Sequence, residues 1–80
     1  MNVTVEVSYY PLVNEFSEPV DAFLQKIREN KKVTLEVGTM SSLITGEFSE
    51  IMDLLKNTMK ELMIKFPSIF TLKISNSCLI

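Results

Sequence analysis

Hydrophobic periodicity along this chain switches between two and 3.6 residues in an order that few small folds can satisfy. Residues 2–10 place Val3, Val5, Val7 and Tyr9 on one face and Thr4, Glu6, Ser8 and Tyr10 on the other. That alternation predicts a half-buried strand, ended by Pro11. Ser17 offers an N-cap, Glu18 and Pro19 suit a first helical turn, and Val20, Phe23, Leu24 and Ile27 recur at helical spacing, which predicts a helix closing near Asn30. Val33, Leu35 and Val37 alternate with Thr34 and Glu36 as far as Gly38, and a third strand is expected over Ser41 to Glu47. Ser49 is the expected cap of a second helix, whose stripe of Ile51, Leu54, Leu55, Met59 and Leu62 runs to about Lys65 before Pro67 stops it. Phe70, Leu72 and Ile74 return the chain to strand character over Ser68 to Ser75.

The order β-α-β-β-α-β predicts an α+β fold of the ferredoxin-like type, a two-layer sandwich in which right-handed crossovers place both helices on one face of an antiparallel sheet. The other sheet face is left bare. It is expected to carry Thr4, Glu6, Ser8, Tyr10, Thr34, Glu36, Thr71, Lys73 and Ser75, with Ile44 or its neighbours on the third strand. No repeat, linker or low-complexity segment divides the chain, so one domain over residues 1–80 is expected. A chain of 80 residues buries only about 60–65% of its unfolded surface, which makes association with further copies a reasonable expectation.

Composition removes several functional classes. Eight Lys plus Arg against ten Asp plus Glu give a net charge of -2, without the basic excess that a phosphate backbone demands. The absence of His removes the usual general base, the usual zinc ligand and every imidazole triad. A single Cys, Cys78, provides neither a disulfide nor a CxxC pair, and its neighbours offer no charge to activate it. Gly38 and Gly46 match neither a P-loop nor a dinucleotide fingerprint, so no cofactor is implied. Of the five Met residues, four lie between Met40 and Met63, where they are expected to fill core gaps rather than bind a metal. Met1 to Val7 alternates where a signal peptide would need a continuous apolar run, and no stretch approaches the ~20 apolar residues of a membrane span. A soluble, cytoplasmic protein without membrane insertion is expected.

What survives is small-molecule binding, and three features could serve it. Tyr9 and Tyr10 end the first strand with one ring toward the helices and the other, Tyr10, toward the open face, where it could stack on a flat heterocycle or simply pack. Gly38-Thr39-Met40-Ser41-Ser42 offers hydroxyls and backbone groups between two strands, although a Thr/Ser-rich turn needs no ligand to explain it. Glu47, after Gly46, could face a cation or an amino group, or be a solvated carboxylate at a helix start.

Taken in order, Tyr10-Pro11-Leu12, Gly38-Thr39-Met40-Ser41-Ser42 and Ile44-Thr45-Gly46-Glu47 ahead of an acidic helix start resemble the YkoF-like thiamine-binding family over nearly the whole chain. The resemblance implies ferredoxin-like domains that associate edge to edge and sheet to sheet, as dimers or tetramers. It also implies binding of thiamine or its hydroxymethylpyrimidine half, in some members alongside an uptake transporter. Thiamine combines a cationic thiazolium with a flat aminopyrimidine, so a site would want a carboxylate, an aromatic surface and hydroxyl partners. Glu6, Glu36 or Glu47, Tyr10, and Thr39 with Ser41 and Ser42 meet those needs. The expected function is therefore thiamine or hydroxymethylpyrimidine binding in vitamin uptake or salvage, without catalysis. The competing reading is a ligand-free structural or regulatory module whose sheet face only builds an oligomer. An enzyme using Glu6 and Lys73 as an acid-base pair ranks third, because an open sheet supplies no cleft.

Overall fold

The computed structural model describes residues 1–77, and Cys78 lies outside the described residues. The elements follow the expected order: β1 (Asn2–Pro11), α1 (Ser17–Glu29), β2 (Thr34–Val37), β3 (Ser42–Glu47), α2 (Phe48–Lys65) and β4 (Ser68–Ser75). The four strands form one antiparallel sheet in the order β2-β3-β1-β4, the arrangement of the ferredoxin-like fold. No helix among the described residues is long and apolar enough to cross a membrane.

Residues directly opposite on antiparallel strands share a face, so the pairing decides what each face holds. Val5 lies opposite Ile44 on β3 and Ile74 on β4, and Ile44 in turn lies opposite Leu35 on β2. The helix-facing layer therefore contains Val3, Val5, Val7 and Ile44, which bury against Phe23 and Ile27 of α1 and Ile51, Leu55 and Leu62 of α2. Of Ile44 and its neighbours, one of which is expected on the open face, Ile44 is thus a core residue and the neighbours supply that face. Leu43, opposite Glu6, and Thr45, opposite Thr4, take that place. The remaining expected residues of the open face do alternate onto it, joined by Ile69 opposite Tyr10.

Both helix starts differ from expectation. Phe16, not Ser17, occupies the N-cap of α1 and makes no side-chain cap, while Ser17 is already helical and donates from its hydroxyl to Glu15 at 3.1 Å. The shift has a physical reason: of the two donors a Ser17 cap could meet, Pro19 has no N–H and the Val20 N–H donates to Phe16 O at 3.2 Å, which closes the first turn on Phe16. In α2 the cap is Glu47 instead of Ser49. Its carboxylate accepts from the Glu50 N–H at 3.1 Å, so the helix begins at Phe48. Gly46 precedes it on the core face, where a Cβ would stand only 3.1 Å from Val33 Cγ1. That close approach lets the connection into β2 pack over the start of α2.

Candidate functional site

The C-terminal end of β1, the start of α1 and the hairpin between β2 and β3 converge around a cavity of about 400 Å³. Its position follows from local chemistry at three places. Leu12 N–H donates to Pro67 O at 2.8 Å, which holds the chain beside β4 as it leaves β1 and turns toward α1. Gly38 N–H donates to Ser41 O at 2.8 Å and closes the hairpin turn over Thr39 and Met40. A Cβ at Gly38 would lie 2.9 Å from that same Ser41 oxygen, so the turn requires glycine on steric grounds.

Aromatic packing fixes the floor. Tyr9 stacks on Phe70 with centroids 4.2 Å apart and planes 4° apart, and Phe23 leans against both rings at 5.7 and 6.0 Å. Ser68 Oγ donates to Phe66 O, so the Tyr9 hydroxyl is the donor in its 3.1 Å contact with Ser68 Oγ. Stacking holds the Tyr9 ring in place as a wall, and with its proton given to Ser68 its hydroxyl has none left to donate to a ligand.

Four of the expected site residues come together here: Tyr10, Thr39, Ser41 and Ser42 all line the cavity. Ser42 is buried beside Val7, its partner on β1, whereas Thr39 and Tyr10 are exposed at the rim. The three expected carboxylates do not line it. Glu6 points to the open face, where its two carboxylate oxygens accept from the Ser41 hydroxyl at 2.9 Å and pair with Lys73 at 3.8 Å. It touches the site only through Ser41. Glu36 lies on the open face of β2 opposite Leu43. Glu47 pairs with Asn2 at the opposite end of β1, where it caps α2 and lies 3.9 Å from the N-terminal amine.

The position of Glu47 gives a direct expectation. Glu47→Ala should lower unfolding free energy by about 1 kcal/mol, the usual loss when a capping acceptor is removed, and leave the cavity unchanged. Urea denaturation of both proteins checks the first part. A variant as stable as the parent would deny the cap its role.

Phe16, Val20, Leu24, Val37 and Met40 also line the cavity, and sequence reasoning missed them as site residues. Phe16 and Met40 are large apolar side chains left 62% and 86% exposed in connecting segments, which is the signal that could have marked them. Taken together, the lining is aromatic and aliphatic with three hydroxyls at one side. Among the described residues it includes no Asp, Glu, Lys, Arg, His or Cys. Such a surface suits a flat, largely apolar ring with a hydrogen-bonding edge.

Fold and cavity together define a small ferredoxin-like sandwich with a hydroxyl-edged aromatic pocket at one end of its sheet. The chain belongs to the thiamine-binding protein family, whose model matches residues 5–76. Among solved structures, a Thermotoga maritima protein assigned provisionally to thiamine biosynthesis or salvage is 29% identical. It superposes with a TM-score of 0.85 over 96% of this chain and 85% of its own. A Streptococcus pneumoniae protein, 21% identical, reaches a TM-score of 0.88 over 96% of this chain and 88% of its own. One from Methanocaldococcus jannascii, 22% identical, reaches 0.82 over 95% and 80% respectively. The last two likenesses concern the fold alone. No curated protein matches the sequence.

Proposed function

We propose that the protein binds thiamine, or its hydroxymethylpyrimidine half, in the cavity between β1, α1 and the β2–β3 hairpin, and releases it unaltered in cytoplasmic vitamin uptake or salvage. The observation that carries this reading is that, in a chain of the thiamine-binding family, this cavity is walled by Tyr9, Phe16, Phe23 and Met40 with the hydroxyls of Thr39, Ser41 and Ser42 at one side. The volume of about 400 Å³ falls within the range of small-molecule sites. The salvage assignment of the Thermotoga maritima protein supports the same reading.

In this arrangement the pyrimidine lies against Tyr9, Phe16 and the Met40 thioether, with Tyr10 at the rim, and its ring nitrogens and amino group meet the hydroxyls of Thr39 and Ser42. The thiazolium cation remains toward the mouth, where aromatic faces attract it. The lining has no carboxylate, amine, imidazole or thiol, and its titratable groups are the phenols of Tyr9 and Tyr10, which supports release of the ligand unaltered. Calorimetric titration with thiamine and with hydroxymethylpyrimidine tests the proposal. Saturable heat near one ligand per chain is expected, and no heat from either compound at millimolar concentration would overturn it.

The same reading includes self-association. Tyr10, Leu43 and Ile69 leave apolar surface on the open sheet face, and β4 presents an eight-residue edge without proline. Sedimentation equilibrium should therefore give a dimer or tetramer, and a single species at 9.1 kDa would contradict this part.

A further inference from the structure

We infer that Glu6 is a positioning residue that makes the cavity select an amino-bearing ring over its oxo counterpart, an inference that rests on the thiamine-binding reading above. Its basis is the direction of one hydrogen bond. A serine hydroxyl has one proton and can donate or accept as its partner demands, whereas a carboxylate only accepts. Ser41 lines the cavity, and its hydroxyl donates to Glu6 Oε2 at 2.9 Å. With that proton committed, Ser41 has only lone pairs to offer a ligand.

Both partners of that bond are held from their far sides. Glu6 lies on β1 opposite Leu43, and its other oxygen, Oε1, is 3.8 Å from Lys73 Nζ on β4. Ser41 directly precedes β3, and its carbonyl accepts from the Gly38 N–H at 2.8 Å. A hydrogen bond to a carboxylate is roughly twice as strong as one between neutral groups, so a neutral acceptor on a ligand does not win the Ser41 proton from Glu6.

Tyr9 repeats the pattern, since its proton goes to Ser68. Two of the hydroxyls around the cavity are therefore set as acceptors by residues that do not line it. The Thr39 hydroxyl, exposed at the rim, can turn to suit a ring nitrogen in either protonation state. An aromatic amine donates two N–H groups and matches a lone pair at Ser41. An oxo group in its place is an acceptor, and it either faces Ser41 lone pair to lone pair or costs the bond to Glu6.

Calorimetric titration with thiamine and with oxythiamine, in which an oxo group replaces the pyrimidine amine, tests this on the intact protein. Thiamine is expected to bind about tenfold more tightly, the effect of one misdirected hydrogen bond. In Glu6→Ala the Ser41 hydroxyl is free to turn and donate, so the gap should fall to about threefold or less. Both compounds carry the same thiazolium, so the lost Glu6 charge cancels in the ratio. A merely structural role for Glu6 would weaken both compounds and leave the ratio unchanged. Ser41→Ala should also close the gap, by removing the lone pair that the amine meets. Equal affinities in the parent protein would overturn this inference while leaving the thiamine-binding reading intact. A gap that persists in either variant would place the selection elsewhere and overturn it too. Binding of neither compound to the parent protein would remove the thiamine-binding reading and this inference with it.

Discussion

Phe23→Ala is expected to lower the unfolding free energy by about 3–5 kcal/mol, the usual range for truncating a buried aromatic residue. Phe23 is 2% exposed and lies where α1 meets the sheet, against Tyr9 and Phe70. Its removal leaves the stacked Tyr9–Phe70 pair without a third ring and extends the existing cavity into the core. Little can collapse into that space, because Tyr9 is held by Ser68 and α1 is anchored on its other turn by Ile27, which is fully buried. A domain of this size commonly has only about 5–10 kcal/mol of net stability, so the variant should be close to its unfolding threshold. Urea denaturation gives the change in midpoint. A loss under about 1 kcal/mol would show that the aromatic cluster does not hold α1 to the sheet.

Val37→Trp is expected to weaken thiamine binding by at least about a hundredfold with little change in stability. Val37 is half-exposed at the end of the edge strand β2 and lines the cavity, opposite Ser42. An indole there can lie in the space assigned to the ligand ring without displacing core atoms, since the wild-type side chain already borders open volume. Loss of most stacking and burial contacts corresponds to roughly 3 kcal/mol, or about two powers of ten in dissociation constant. Calorimetry measures the binding, and circular dichroism with urea denaturation establishes that the fold persists. Unchanged affinity in a folded variant would remove this cavity as the ligand site.

The element order was legible because alternating and helical patterns rarely mimic each other over such lengths, as in Val3-Thr4-Val5-Glu6-Val7 and in Val20, Phe23, Leu24 and Ile27. Finer features depended on competition between neighbours. Ser17 and Ser49 are better capping types than Phe16 and Glu47, but on α1 Pro19 has no N–H and the Val20 N–H goes to Phe16 O, while on α2 Glu47 reaches the Glu50 N–H. The face of β3 was ambiguous because Leu43 and Ile44 are both apolar, and only pairing with Val5 and Leu35 directs Ile44 inward.

The hydroxyl side of the cavity stood out locally in Gly38 to Ser42 and in Tyr10, which fold against one another. Its apolar side did not. Phe16, Val20 and Leu24 meet Val37 and Met40 through packing of α1 beside the β2–β3 hairpin, a relation between segments some twenty residues apart. The carboxylates show the opposite limit. Glu6, Glu36 and Glu47 are suitable by chemistry for a cation, yet strand parity and helix capping direct all three away from the cavity lining.

Titration of the ¹⁵N-labelled protein with thiamine, followed by amide chemical shifts, tests most directly whether a ligand occupies the space between β1, α1 and the hairpin. Saturable shifts are predicted for Tyr10, Phe16, Val20, Thr39, Met40, Ser41 and Ser42, with Glu47 and the α2 start unmoved. Saturable shifts confined to Thr4, Thr45, Thr71 and Ser75 on the open sheet face, or no shifts at saturating ligand, would contradict it.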